Sequence, residues 1–389
     1  MPSKFALAIK LDVLVENSLE LNRPSEVITL SWSEIQRYIP NANIHKLIVK
    51  NSSGLSIAYQ VIKSDYSDKG ISKDFTFLLF QHNFKENEKE AKFTIEQVDF
   101  VVKPFENKTC ARIVPERLDD FAWENDKIAH RTYGPALEAP DSLKIGKEVL
   151  RASGIDVWSK RVSYCIIDRW YNRGNYHQDD GEGMDMYKTG ETRGTGGTGI
   201  WDGKVLRTSG NFKSWRIFAN GPIRTVFELS YDAWDANGTK VTEIKRFTVD
   251  AGHYLDTVES RFVFSDNSTR TVGLGISKSG AEHGQFTYAP TLNRLGDINA
   301  LSQWQHHQTN GDTFHAVILN KPIKAFGEDT GNQLIFTNVA SGEVLKYWAG
   351  AAWSEGGEIT SNEQWLNYLQ NEVKRNSSPL IIKITPLKP

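Results

Sequence analysis

"RTVFELSYDAWDANGTKVTEIKRFTVDAGHYLDTVESRFVFSD", residues Arg224–Asp266, decides the fold class. It reads as three strands, RTVFELSYDAW, TEIKRFTVD and HYLDTVESRFVFSD, joined by short polar turns. One turn carries Asn237-Gly238, a pair suited to a two-residue β-hairpin loop. TVGLGISKSG continues the pattern at once, so this part of the chain is a large antiparallel β-structure.

Working outward, the N-terminal region is β-rich as well. Phe5, Leu7, Ile9, Leu11, Val13 and Val15 fall on alternate positions, the period of a strand with one buried face. HKLIVKN, LSIAYQVI, DFTFLLFQ and KFTIEQVDFVVK follow as further strands. Residues 1–113 are therefore expected to form a small antiparallel β-sandwich domain, and residues 114–389 a second, larger β-domain. Two helices are expected in the second domain. One covers PDSLKIGKEVLRAS, residues 140–153, with Gly154 past its end. The other follows a Ser361 cap, with Trp365, Leu366, Leu369 and Val373 at helical spacing on a core-packing face.

The 389 residues include 39% hydrophobic and 24% charged side chains, the balance of a folded chain. A formal net charge of −2 gives no reason to expect nucleic acid or an anionic membrane as partner. No apolar run reaches the length of a membrane span. Aromatic residues make up 11%, which suits pleated surfaces and also sugar stacking. Cys110 and Cys165 stand outside any zinc-type spacing, and spacing alone does not decide whether they pair.

The chemistry concentrates in YNRGNYHQDDGEGMDMYKTGETRGTGGTG, residues 171–199, which holds one histidine, five acidic residues and eight glycines. Long loops of this kind within a domain carry function. His177 with Asp179, Asp180, Glu182 and Asp185 suits general acid–base work. QDDGEGMD does not follow the calcium-loop pattern and no HExxH occurs. No cofactor is expected, and a divalent cation at the acidic loop has only its carboxylates in its favour. GTGGTG lacks the Lys-Ser/Thr of a phosphate loop and sits in no βαβ unit, so nucleotide binding is rejected.

In WENDKIAHRTYGPAL, alternation puts Ile128, His130 and Thr132 on one strand face and Ala129, Arg131 and Tyr133 on the other. Arg131 beside Tyr133 suits a carboxylate clamp with a proton donor, or else a structural ion pair. Arg216, Arg224, Lys278, Glu282, His283, His306, His307, Trp348 and Trp353 are further candidates. His306 and His307 would face opposite sides of a strand, so at most one serves a site.

Together, WENDKIAHRTYGPAL, YHQDDGEGMDMYKTG, FANGPIRTVFELSYD and KYWAGAAWS resemble an uncharacterised-domain family found in polysaccharide-utilisation loci of Bacteroidetes. The similarity covers nearly the whole chain and is greatest to the oligosaccharide dehydratases of ulvan degradation. It implies a small β-domain followed by a galactose-mutarotase-like β-supersandwich with a few helices. It also implies a periplasmic or secreted protein whose signal peptide is absent from this sequence. Asp180 stands where the family often has a histidine, so no role of that histidine carries over.

The reaction implied is loss of water across C4–C5 of a uronic acid at the non-reducing end of a sulfated oligosaccharide, leaving a 4,5-unsaturated uronate. Such chemistry needs a base for the C5 proton, an acid for the leaving hydroxyl and a positive group at the carboxylate. The expected assignments are His177 as acid–base residue, Tyr133 or Tyr187 as its counterpart, and Arg131 at the carboxylate with Arg216 in reserve. Glu182 and Asp185 would orient His177 or bind hydroxyls, Trp348 and Trp353 would stack on the sugar, and His283 would bind substrate. The alternatives are a polysaccharide lyase acting by the same β-elimination and a non-catalytic glycan-binding protein.

Overall fold

A computed structural model describes residues 10–63, 66–67, 70–71, 75–138, 149–278 and 290–386. The fold is mostly β, built from antiparallel sheets, with three α-helices among the described residues.

Two compact units share the chain: Met1–Lys108 with Phe218–Arg224 and Asn371–Pro389, and Thr109–Ile217 with Thr225–Gln370. The sequence patterning suggested one boundary at residue 113. In the structure the C-terminal strand Ile381–Pro386 joins the first unit, because it pairs with Lys10–Glu16 from Glu16 opposite Ile381 to Leu11 opposite Pro386. Leu11, Val13 and Val15 of the alternating N-terminal stretch are buried with Ile28, Phe80 and Phe93. Phe5, Leu7 and Ile9 lie outside the described residues. The KFTIEQVDFVVK run is a strand only through Gln97, where Glu90–Gln97 ends.

The second unit stacks three sheets about one core. An eight-stranded sheet takes in all three strands of the opening stretch, as Arg224–Asp235, Lys240–Asp250 and Leu255–Phe264. Asn237 and Gly238 have φ of 57° and 86°, and Ala236 N–H donates to the Thr239 carbonyl at 2.8 Å. The hairpin needs that left-handed pair. Facing this sheet are a five-stranded sheet containing Thr195–Trp201 and Thr269–Ser277, and another running from Thr109–Val114 to Gly183–Met184. Phe227, Phe247 and Phe262 of the first sheet, Val272 and Leu274 of the second, and Phe121 and Trp123 of the third close the core.

The GTGGTG run is part of this packing. A Cβ on Gly194 would lie 1.9 Å from the Ile155 carbonyl oxygen, and one on Gly196 2.4 Å from Ala349 Cβ. Close approach of neighbouring strands accounts for these glycines.

Of the helix expected over residues 140–153, residues 149–153 are described and are not helical; the remainder lies outside the described residues. The last helix is Asn362–Ser377, with Ser361 Oγ accepting from Gln364 N–H at 3.2 Å. Its Trp365 is buried against Tyr254 and Phe314 and donates to Ser302 Oγ at 3.0 Å.

Candidate functional site

The strand Ile128–Thr132 is buried along its whole length, and its two faces meet different partners. Arg131 Nε donates to Asp156 Oδ2 at 2.7 Å, Nη2 to Asp185 Oδ2 at 3.0 Å and Nη1 to the Tyr176 hydroxyl at 3.1 Å. Its guanidinium also lies 5.1 Å from the Trp158 ring. Burial works against the charge, but Asp156 and Asp185 outweigh it and hold the Arg131 pKa above the ordinary arginine value.

Local folding brings His177 to this cluster. The helix Ile167–Arg173 ends where Gly174, at φ 77°, donates its N–H to the Trp170 carbonyl. Trp170 stacks on Trp158 at 5.3 Å, and Tyr176 packs on the same ring at 4.9 Å. The loop then doubles back, with Asp185 N–H donating to the Tyr176 carbonyl at 2.8 Å. Gly183 permits the return at φ 122°, since a Cβ there would lie 2.1 Å from the Ser159 oxygen. His177 Nδ1 thereby rests 3.0 Å from the Asp185 carbonyl and 3.7 Å from its carboxylate. A carbonyl only accepts, so Nδ1 is the donor, and in the neutral ring Nε2 carries the lone pair. With one third of the side chain exposed, 33%, this is the protonation pattern of a general base.

The loop's other carboxylates have basic partners. Asp179 pairs with Arg161, Asp180 with Arg173 at 2.9 Å, and Glu182 with Arg169 at 2.7 Å. Glu182 also accepts from the Tyr164 hydroxyl at 2.6 Å. Glu182 therefore ties the loop to the preceding helix, while Asp185 alone of the two reaches His177. Among the described residues, the three-residue set close enough to share a metal is Cys110, Glu124 and Cys165, away from this loop's carboxylates.

The remaining sequence candidates are scattered. Tyr133 is buried with Leu137 and Ala152, its hydroxyl pKa pushed well up by burial and by the Asp156 carboxylate. Tyr187 is buried in the core, donating to the Gly194 carbonyl at 3.0 Å and stacked on His315 at 4.2 Å. Arg216 lies on Phe212–Ala219, the edge strand of the large sheet. Trp348 and Trp353 share the strand Val344–Trp353 but, five positions apart, point to opposite faces, so they form no common wall. Lys346 lies over Trp348, whereas Trp353 packs on Met184 and Met186 beneath the His177 loop. His306 is half-exposed beside Asp312 and His307 is buried, the opposite facing expected of neighbours on a strand. Lys278 is held by Glu328 at 3.0 Å. His283 and Glu282 lie outside the described residues.

A cavity of about 120 Å³ opens beside Trp353, lined among others by Asp126, Lys127, Lys160, Arg161 and Glu358. The Arg161 guanidinium sits 4.7 Å over the Trp353 ring, and its backbone N–H donates to the Glu182 carbonyl at 3.0 Å. Cavity and loop are thus contiguous. Tyr254, also on the cavity wall, donates its hydroxyl to Glu358 at 3.0 Å. Sequence reading missed Tyr176, Asp156, Lys127 and Arg161. Tyr176 adjoins His177 in the sequence; Asp156 begins, and Arg161 directly follows, the strand Asp156–Lys160, whose pairing partners lie more than 20 residues away.

Two solved structures from Enterococcus faecalis, an alpha-mannosidase and a glycosyl hydrolase family 38 protein, each align with 99% of this chain at 10% identity and TM-score 0.48. The chain spans about half the length of each, 46% and 48%. A Formosa agariphila protein described as uncharacterized protein P7 is 31% identical over 391 residues, covering 96% of this chain and 93% of its own length. The profile of the domain of unknown function DUF4861 matches residues 15–382, and with that match the chain is a member of the DUF4861 family.

Proposed function

We propose that this protein is a carbohydrate-active lyase that removes water across C4–C5 of a terminal uronic acid on ulvan-type oligosaccharides. The observation that carries the reading is the half-exposed His177, its Nδ1 fixed on Asp185 and Asp185 fixed on buried Arg131. The motif resemblance supplies the substrate class and a periplasmic or secreted setting.

In this reading His177 Nε2 takes the C5 proton. The Tyr176 hydroxyl oxygen accepts from Arg131, which leaves its O–H to donate to the departing C4 hydroxyl. The C4–O bond breaks, the C4=C5 bond forms and one water leaves. Tyr176 takes the place expected of Tyr133 or Tyr187, whose hydroxyls are buried. Arg131 is buried between two carboxylates, whereas Lys127 and Arg161 stand at the cavity wall with one carboxylate partner each, Glu358 and Asp179, and supply the positive potential for the uronate carboxylate. Trp353 forms the stacking surface. A cavity this small takes one end of one ring, which favours action at a chain terminus.

The test is mass spectrometry of oligosaccharides with a saturated terminal uronate, before and after incubation. Loss of one water at constant chain length is expected. Shortened chains with unsaturated ends would make the protein a polysaccharide lyase, and unchanged substrate that still binds would make it a glycan-binding protein. His177→Ala should reduce turnover by about 10²–10⁴-fold. Full turnover in the folded variant would refute the role given to His177.

A further inference from the structure

We infer that Cys110 and Cys165 form a redox site: a dithiol that closes to a disulfide and fastens the segment before the Ile167–Arg173 helix to the strand Thr109–Val114. The fold brings the two sulfurs to 2.7 Å from one another. Contact between half-buried thiols 55 residues apart in sequence is set by the fold around Glu124.

Glu124 pairs directly with Cys110 across the antiparallel ladder. Its Oε1 accepts from the N–H groups of Ile166 and Ile167, 2.7 and 2.9 Å away, which places Cys165 immediately beside it. Its Oε2 accepts from Lys160 Nζ at 2.6 Å, and the same ammonium donates to the Tyr164 carbonyl at 2.9 Å. Both chain segments are therefore pinned on one buried carboxylate, and the thiols meet without any rearrangement. The same pinning argues against a metal. Both Glu124 oxygens are already occupied, which leaves two thiolates and too few ligands for a closed site.

The oxidant is a disulfide of the surroundings, a protein or small-molecule one. The Cys165 thiolate attacks one of its sulfurs, forms a mixed disulfide and releases the first thiol. Cys110 then attacks the Cys165 sulfur, its proton passes to the leaving sulfur, and the second thiol departs. Two protein thiols are oxidised and one external disulfide is reduced. The Cys165 contact, burial and the Glu124 carboxylate push the Cys110 thiol up, which suits it to the resolving role beside Cys165.

The consequence reaches the His177 loop. The tethered helix carries Trp170 and Tyr171, and these pack with Trp158 against Tyr176. This inference does not depend on the reaction proposed above.

The experiment incubates the reduced full chain with oxidised glutathione, traps free thiols by alkylation, and follows intact mass, non-reduced peptide maps and thermal unfolding. The expected result is joint loss of both thiols, a product two hydrogens lighter, a linked Cys110–Cys165 peptide, and a melting temperature that falls by on the order of 10 °C on reduction. Cys110→Ser should take up one glutathione on Cys165, Cys165→Ser should react more slowly at Cys110, and both should lose the redox-dependent shift. Two persistent thiols, one glutathione on each cysteine in the wild type, or thiols protected by a stoichiometric metal would overturn the inference.

Discussion

His130 and Arg131 are neighbours on one strand, yet they inhabit opposite electrostatic worlds. His130 faces inward, stacked on Trp123 with ring centroids 5.4 Å apart, and its Nε2 lies 3.7 Å from Asp256 Oδ2. Arg131 faces the other way and holds Asp156, Asp185 and Tyr176. On the inner face burial lowers His130 to about 4 and raises Asp256 to about 7, so both groups are at home uncharged. On the outer face the charges remain, because each has an opposite charge and further hydrogen bonds. One strand thus separates a neutral polar interior from an ionic network that ends at half-exposed His177. The base proposed above, His177, lies on the second face, where it meets solvent and its partner carboxylate Asp185 is held by Arg131.

The largest effect that would break this contrast is on Arg131. Arg131→Met leaves Asp156 and Asp185 buried without their cation, and should cost about 3–5 kcal/mol in denaturant unfolding. A loss below about 1 kcal/mol would mean that those carboxylates reach water and that the network is not what holds Asp185.

On the inner face the contrast sharpens with pH. Asp256 rises from 3.8 to about 7 through burial, helped by the Asp250 charge and opposed by the Trp123 indole, which donates at 2.7 Å. The unfolded chain releases this proton first, so the residue's contribution to stability falls as pH rises from 3.8 to about 7 and then levels off. The full penalty is on the order of 4 kcal/mol. His130, lowered from 6.5 to about 4, has the opposite trend and loses stability as pH falls through that window. Asp256→Asn isolates the first trend. Its melting temperature relative to wild type should move in its favour from pH 4 to 7 and stay constant above. A relative melting temperature that stays flat or moves against Asp256→Asn over that range would show Asp256 to be ionised in the fold.

The smallest effect is expected at Glu182, whose ion-pair partner Arg169 is 63% exposed. Glu182→Gln should change stability by less than about 1 kcal/mol, because solvent screens such pairs. A loss comparable to that of Arg131→Met would mean that the loop carboxylates are not graded by burial.

The sequence made some of this legible and withheld the rest for physical reasons. Asn237-Gly238 and the strands around it declared a hairpin, since the turn depends on two adjacent residues. Ser361 and the Trp365–Leu369 spacing declared the last helix for the same local reason. His177 and Asp185 were visible as chemistry, being eight residues apart in one glycine-rich loop. Arg131 was visible as a residue but not as a hub, because Asp156 and Asp185 are 25 and 54 positions away. Tyr133 and Tyr187 looked suitable by residue type, and only the tertiary structure buries both and sets Tyr176 against Arg131 instead.

By itself, then, the sequence determined the β-rich class, the hairpin, the last helix and the loop in which acid–base chemistry would be sought. These follow from periodicity, turn conformation and capping, all of which act within a few residues. Tertiary structure alone decided which carboxylates belong to arginines, which tyrosine hydroxyl stands beside Arg131, that Trp348 and Trp353 part company, and that Cys110 touches Cys165. Those outcomes depend on long-range strand pairing and on desolvation, and neither is written in any short window of the chain.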